Sequence, residues 1–195
     1  MKVLITGFGP FPGAPVNPSG PLALSLARLR RPAFAAVSRV AHVFATSYLG
    51  VNRDLPALLA HHRPDIVLLF GLATRTPFLR IETRAQNAAS VLSPDVDGRT
   101  AATGEIAPGA PASLQSRAPA HRLLAAARGA GVPARLSRDA GRYLCNYTYW
   151  RALAASRSGT LVQFVHIPSL VHVHRTGLVR AGEAILRVLI AARRR

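Results

Sequence analysis

Apolar residues in this chain fall into two patterns: short unbroken runs, and longer stretches in which they recur every three or four positions. Lys2 to Thr6, Val37 to Phe44, Asp65 to Phe70, Ala134 to Ser137 and Leu161 to Ile167 are of strand length. Asp65-Ile-Val-Leu-Leu-Phe70 and Leu161-Val-Gln-Phe-Val-His-Ile167 are nearly continuous, as expected of strands covered on both faces. The helical period predicts helices over Pro21 to Arg30, Val51 to His61, His121 to Gly131, Asn146 to Arg157 and Thr176 to Arg193. Asn17-Pro18-Ser19 supplies a turn and a cap for the first of these. In the last, Leu178, Ile185, Leu186, Leu189 and Ile190 stand near helical spacing. The alternation predicts an α/β fold: a single-domain three-layer α/β/α sandwich over residues 1–195, around a central twisted mixed, mostly parallel sheet.

Three stretches fit neither pattern. Gly7-Phe-Gly-Pro-Phe-Pro-Gly13 is expected to end the first strand and form a loop. Phe78 to Asn87 is more polar, which suggests an extended segment with one exposed face. Ser90 to Pro119 carries Pro94, Pro108, Pro111 and Pro119 and has almost no apolar periodicity. It is read as a long loop with room for disorder, of the kind that is often functional in compact domains.

At 195 residues the chain can bury roughly 70% of its unfolded surface without disulfides or metal. No apolar run is long enough for a membrane helix, and a single cysteine without a secretory leader points to the cytoplasm. The 25 basic residues against 8 acidic ones leave a net charge of +17, and Lys2 is the only lysine. Such an excess raises nucleic acid or an anionic surface as a partner. The arginines are dispersed, however, and only Arg193-Arg194-Arg195 forms a run of three. Arginine and alanine at the expense of lysine fit the coding bias of a GC-rich genome. The expectation is no specific nucleic acid, no membrane, and loose salt-sensitive adhesion to polyanions.

The chemistry centres on Cys145. A lone thiol forms no internal disulfide and rarely holds a metal, so packing and nucleophilic chemistry remain. It stands between the glycine-marked loop and the helix predicted from Asn146, in the field of a helix N-terminus, which favours thiolate. A cysteine nucleophile needs a histidine and a third group to fix the imidazole. Among seven histidines, His166 alone ends an apolar strand, where active crevices of open α/β sheets lie. Of the eight acids, most fall on helix surfaces or in the long loop, and Glu82 within Phe78 to Asn87 is left. From local sequence alone, an ion pair with Arg80 or Arg84 is the favoured account of Glu82.

Four ordered blocks together resemble the type I pyroglutamyl peptidase (pyrrolidone-carboxylate peptidase) family of cysteine peptidases. They are Val3 to Phe11 with Asn17-Pro18-Ser19; Gly71 to Asn87 with Glu82, Ala85 and Asn87; Ser137, Ala140-Gly141 and Cys145-Asn146; and Phe164-Val-His166-Ile-Pro168. The resemblance implies that Cys145 is the nucleophile, His166 the general base and acid, and Glu82 the orienting group. It implies that Phe8 and Phe11 wall a lactam pocket, with Asn17, Leu72, Tyr143 and Leu144 among the substrate-binding positions. The substrate it implies is a pyroglutamyl peptide, with no cofactor and no metal, and the family includes homo-oligomers, a dimer or tetramer being the expectation. Departures lie near the substrate. Leu72 replaces a glutamine, Ala73-Thr74 a glycine pair, and Leu92 an arginine near the reacting centre, for which Arg75, Arg99 and Arg142 are candidate replacements. Three classes therefore stay open: the pyroglutamyl exopeptidase, a triad-retaining amidase or peptidase reading another acyl group, and a non-catalytic basic nucleic-acid-binding α/β protein.

Overall fold

The computed structural model describes residues 1–11 and 13–194. Its main sheet has six strands in the order β2-β1-β3-β8-β4-β7: β1 Lys2–Phe8, β2 Ser38–Phe44, β3 Ile66–Leu72, β4 Leu79–Glu82, β7 Ala134–Ser137 and β8 Leu161–Ile167. β2, β1, β3 and β8 run parallel; β4 is antiparallel to β8, and β7 follows β4 in parallel. The sheet is therefore mixed and mostly parallel, as the strand–helix alternation predicts.

Alternate strand residues divide two cores. Val3, Ile5, Ile66, Leu68, Phe70, Val165 and Ile167 pack on one face against α1 Ser19–Arg28, α3 Ala120–Gly129 and α5 Arg175–Arg193. Leu4, Phe8, Val67, Leu69, Val162 and Phe164 pack on the other against α2 Tyr48–His62 and α4 Leu144–Ala155. Each fully buried large apolar side chain is worth about 2–3 kcal/mol.

The structure corrects four details. β1 runs on through Gly7 and Phe8 rather than closing at Gly7. Gly7 is needed for proximity, not for a turn: a Cβ there would lie within contact of Ser19 O, so only glycine lets α1 dock on the strand. The polar segment from Phe78 is not a half-exposed strand. β4 is enclosed between β8 and β7, and Glu82 has 0% exposure, while Arg84–Gln86 forms a separate strand β5. The long loop contains a further strand, β6 Ser113–Gln115, paired antiparallel to β5 beside α4. Finally, α4 begins at Leu144, so Cys145 lies inside its first turn rather than before it.

Two buried side chains order the long loop. Asn87 Oδ1 accepts from Ile106 N and Ala107 N, both at 2.9 Å. Asp95 Oδ1 accepts from Asp97 N and Arg99 N, and its Oδ2 accepts from Tyr48 N at 2.8 Å, joining the loop to the start of α2. Among the described residues no helix is long and apolar enough to cross a membrane.

Replacing Gly7 by alanine is expected to lower unfolding free energy by about 3 kcal/mol, because backbone must move to admit the methyl. Urea denaturation measures this; a loss below about 0.5 kcal/mol would mean that the β1–α1 contact is slack.

Candidate active site

The register of β8 against its two neighbours builds the site. Gly71 on β3 is paired with His166, and so is Arg80 on β4; Glu82 is paired with Phe164, one step deeper. Paired residues share a face, and Leu79 and Ile81 belong to the opposite core. Arg80, Glu82, Gly71 and His166 therefore all stand on the α4 side.

His166 Nδ1 lies 2.8 Å from Glu82 Oε1, in a buried hydrogen bond. Arg80 Nε approaches the same Oε1 at 3.1 Å, and Arg80 Nη2 lies 3.1 Å from His166 Nδ1. Glu82 Oε2 is buried without a hydrogen-bond partner among the described residues. The Glu82 main chain is fixed from two sides, since its carbonyl accepts from Tyr149 Oη at 2.9 Å and Gln163 Nε2 at 2.8 Å.

Cys145 enters from α4. It is the second residue of the helix, half-buried, and its sulfur occupies the space above Gly71: a Cβ built there would lie 2.7 Å from Sγ and 2.7 Å from Phe164 Cζ. The sulfur thus rests over the strand position paired with His166. Asn146 anchors the helix start, its Oδ1 accepting from Gln86 N and its Nδ2 donating to Gln86 O and Ala88 O at 2.8–2.9 Å. Tyr143 occupies the N-cap without a side-chain cap bond, and the first helical donor is Tyr147 N to Tyr143 O. The amides of Leu144, Cys145 and Asn146 precede that bond and have no helical acceptor.

Burial, and then the Glu82 charge, push the Cys145 thiol up to about 12, with Arg80 pulling the other way. Burial holds the His166 imidazole below its ordinary value; Arg80 adds to this, and Glu82 and Asp139 oppose it. Both groups are consequently neutral near pH 7.

Of the remaining sequence-predicted positions, Phe8 and Leu72 lie at the C-terminal ends of the neighbouring strands β1 and β3. Phe8 is buried at the end of β1, its ring centroid 5.7 Å from that of Phe44, and Phe11 is half-buried in the following turn, bridged to Ala14. Asn17 donates to Gly9 O at 2.8 Å and accepts from Ser19 N and Oγ, so its polar atoms shape that turn. Leu72 ends β3, half-buried. Leu144 is buried, and Tyr143 Oη donates to Pro94 O at 2.9 Å, joining the long loop to the cysteine turn. Leu92 is 87% exposed. Arg75, Arg99 and Arg142 are also exposed; the guanidinium that touches the buried pair is that of Arg80. Sequence reasoning assigned Arg80 only a salt bridge and gave Tyr149, Gln163 and Asp95 no role.

The chain matches the profile of a family described as pyroglutamyl peptidase over residues 1–179. It belongs to the pyroglutamyl peptidase family. Among its relatives in this family of cysteine peptidases, the pyrrolidone-carboxylate peptidase of Thermococcus onnurineus is 34% identical over 171 residues, covering 86% of this chain and 84% of the relative. That of Gloeobacter violaceus is 36% identical over 173 residues, with 87% and 82% covered. A solved variant of the Pyrococcus furiosus pyrrolidone carboxyl peptidase superposes with a TM-score of 0.90 at 26% identity, covering 98% of this chain and 99% of that one. The Thermococcus litoralis enzyme gives 0.89 at 27% identity, with 97% and 93% covered.

The depressed imidazole has a consequence for stability. An unstructured histidine titrates near pH ~6.5, so as the pH falls the unfolded chain binds its proton before the folded chain does. The His166 contribution is complete above that pH and is lost on going below it. Urea midpoints measured from pH 7.5 to 5.5 are expected to fall in the wild type and to fall less in His166→Gln; equal slopes would place the effect on other groups.

Proposed function

We propose that this chain removes N-terminal pyroglutamate from peptides as a thiol peptidase, with Cys145 as nucleophile, His166 as general base and acid, and Glu82 as the group orienting the imidazole. The observation that carries the reading is the 2.8 Å bond from Glu82 Oε1 to His166 Nδ1 on the face where the Cys145 sulfur rests over Gly71. A thiol at about 12 is protonated at neutral pH, so attack requires a base beside it. With Nδ1–H donating to Glu82, the imidazole has its free lone pair on Nε2 for the thiol proton. As the sulfur attacks the pyroglutamyl carbonyl carbon, that proton passes to Nε2, and the buried carboxylate stabilises the resulting imidazolium.

The tetrahedral oxygen gains charge in the same step. The unpaired amides at the start of α4, including that of Cys145, are donors suited to it, and the helix field has the right sign. The imidazolium then protonates the departing amine, leaving a thioester. Water, deprotonated by His166, hydrolyses the thioester and releases pyroglutamate and the thiol. Every proton is accounted for by Cys145, His166 and water.

Pyroglutamate has no charged amine, so its pocket needs apolar walls and a few fixed polar groups. Phe8, Phe11, Leu72, Tyr143 and Leu144 are the walls in this reading, and Asn17 acts by holding the turn that carries Phe11. A reactive thiol also fits a reducing compartment, consistent with a cytoplasmic site of action. Leu72 at the strand end and the exposed Leu92 favour a second reading, in which the same three residues act on another acyl group.

Hydrolysis of a chromogenic pyroglutamyl amide, beside prolyl and alanyl amides, tests this. Wild type is expected to cleave the pyroglutamyl amide preferentially, Cys145→Ala to be inactive, and Glu82→Gln to lose about 100-fold or more in kcat/KM. Preference for a prolyl or alanyl amide would establish the second reading, and activity surviving in Cys145→Ala would exclude both.

A further inference from the structure

Among the described residues, Arg80 is placed unlike any other cation. It is paired with His166 across the β4–β8 ladder, so its Cα cannot move away without breaking the strand. Its guanidinium addresses both members of the buried pair, with Nε at 3.1 Å from Glu82 Oε1 and Nη2 at 3.1 Å from His166 Nδ1. The side chain is 26% exposed against 0% for Glu82, so the charge stands between the buried carboxylate and the outside.

We propose that Arg80 is a positioning residue that contests the Glu82–His166 hydrogen bond and thereby sets how much of His166 is held in the tautomer able to take the Cys145 proton. This rests on the assignment of His166 as the base.

The argument is one of valence. Nδ1 has a single in-plane position for a proton or a lone pair. With the proton there, it donates to Glu82 at 2.8 Å, Nε2 is free to accept, and Arg80 faces an N–H it cannot satisfy. With the proton on Nε2, Arg80 donates to Nδ1, Glu82 loses its bond to the ring, and the ring can give a proton but not take one. Glu82 and Arg80 therefore favour opposite tautomers through the same atom. Only the first can take the Cys145 proton; the imidazolium that then protonates the leaving amine carries a proton on both nitrogens, so Arg80 lowers the share of the resting ring that is competent for attack.

Charge acts in parallel. The groups facing the ring are Arg80 and Glu82 from β4, Cys145 from α4, and Asp139 from the loop before α4. Arg80 opposes a protonated imidazole and favours a Cys145 thiolate; Glu82 does the reverse on both counts. Removing Arg80 leaves Glu82 unopposed.

The test is nitrogen NMR of the histidine ring, with His166→Gln supplying the assignment, alongside the pH dependence of kcat/KM. Arg80→Met keeps the apolar stem and removes the Nη2 donor and the charge. It is expected to move the ring-nitrogen shifts toward the pure Nδ1–H pattern, and to raise the His166 titration and the acidic limb of kcat/KM by about one unit or more. Arg80→Lys keeps the charge beside Glu82 but loses the two-pronged fork. In it the nitrogen shifts should move in the same direction with a smaller change in the limb, and it serves as the second variant if Arg80→Met does not fold. A folded variant of either kind whose ring nitrogens and titration coincide with wild type would overturn the proposal. The nitrogen readout needs no substrate, so it stands apart from any failure on pyroglutamyl amides.

Discussion

Glu82 is a carboxylate with no exposed surface, and much of the surrounding structure is arranged so that it can exist there. Removing an ion of this kind from water costs several kcal/mol unless partners replace the hydration. Three elements supply them. β8 brings His166 to Oε1, β4 itself brings Arg80 to the same oxygen, and Tyr149 and Gln163 hold the main chain so that the carboxylate cannot swing outward. Oε1 is hydrogen-bonded to His166 Nδ1 and has the Arg80 guanidinium 3.1 Å away as an ion pair, while neither Arg80 Nε nor Glu82 Oε2 has a hydrogen-bond partner among the described residues.

The second constraint is close approach. A sulfur can rest on the sheet only where the strand beneath it lacks a side chain, and Gly71 provides that position opposite His166. Gly7 performs the corresponding service for α1 on the other face. In both places glycine brings another group against the sheet without interrupting the strand, and both strands run on past their glycine to Phe8 and Leu72. The apolar runs ending at Thr6 and Phe70 therefore stop two residues short of the ends of β1 and β3.

What could be read from the residues divides along the same physical line. Apolar runs such as Ile66 to Phe70 and Leu161 to Ile167 declared themselves because burial on both faces leaves little polar content, and β7 and β8 fell at the predicted positions. β4 did not, because its polarity is spent inside the site: Arg80 and Glu82 look solvent-facing to any pattern that equates charge with exposure. Cys145 and His166 were legible as candidates from their places at a loop–helix junction and a strand end. That the two share a face with Glu82 depends on the β8 register and on β4 running antiparallel, which no local pattern encodes. The order within residues 90–119 was hidden for a similar reason, since Asn87 and Asp95 hold it through side-chain bonds to main chain distant in sequence.

The abundance of arginine also looks different once its partners are seen. Arg39 and Arg187 flank the Phe34 ring at 4.7 and 5.8 Å, and Arg135 stacks on Phe78 at 4.3 Å. Arg128 donates to Ala134 O, Arg84 to Arg138 O, and Arg157 to Asp65. A planar guanidinium can cover an aromatic ring or cap a carbonyl while keeping part of its surface in water, which lysine does less well. With so few acids in the chain, rings and carbonyls become the ordinary partners of these cations, and exposed cations such as Arg75, Arg99 and Arg142 remain at the surface. Arg80 differs because its partners are a buried carboxylate and a ring nitrogen whose proton is in use. It stands beside that pair, rather than on a ring or a carbonyl, because β4 runs antiparallel and delivers it opposite His166.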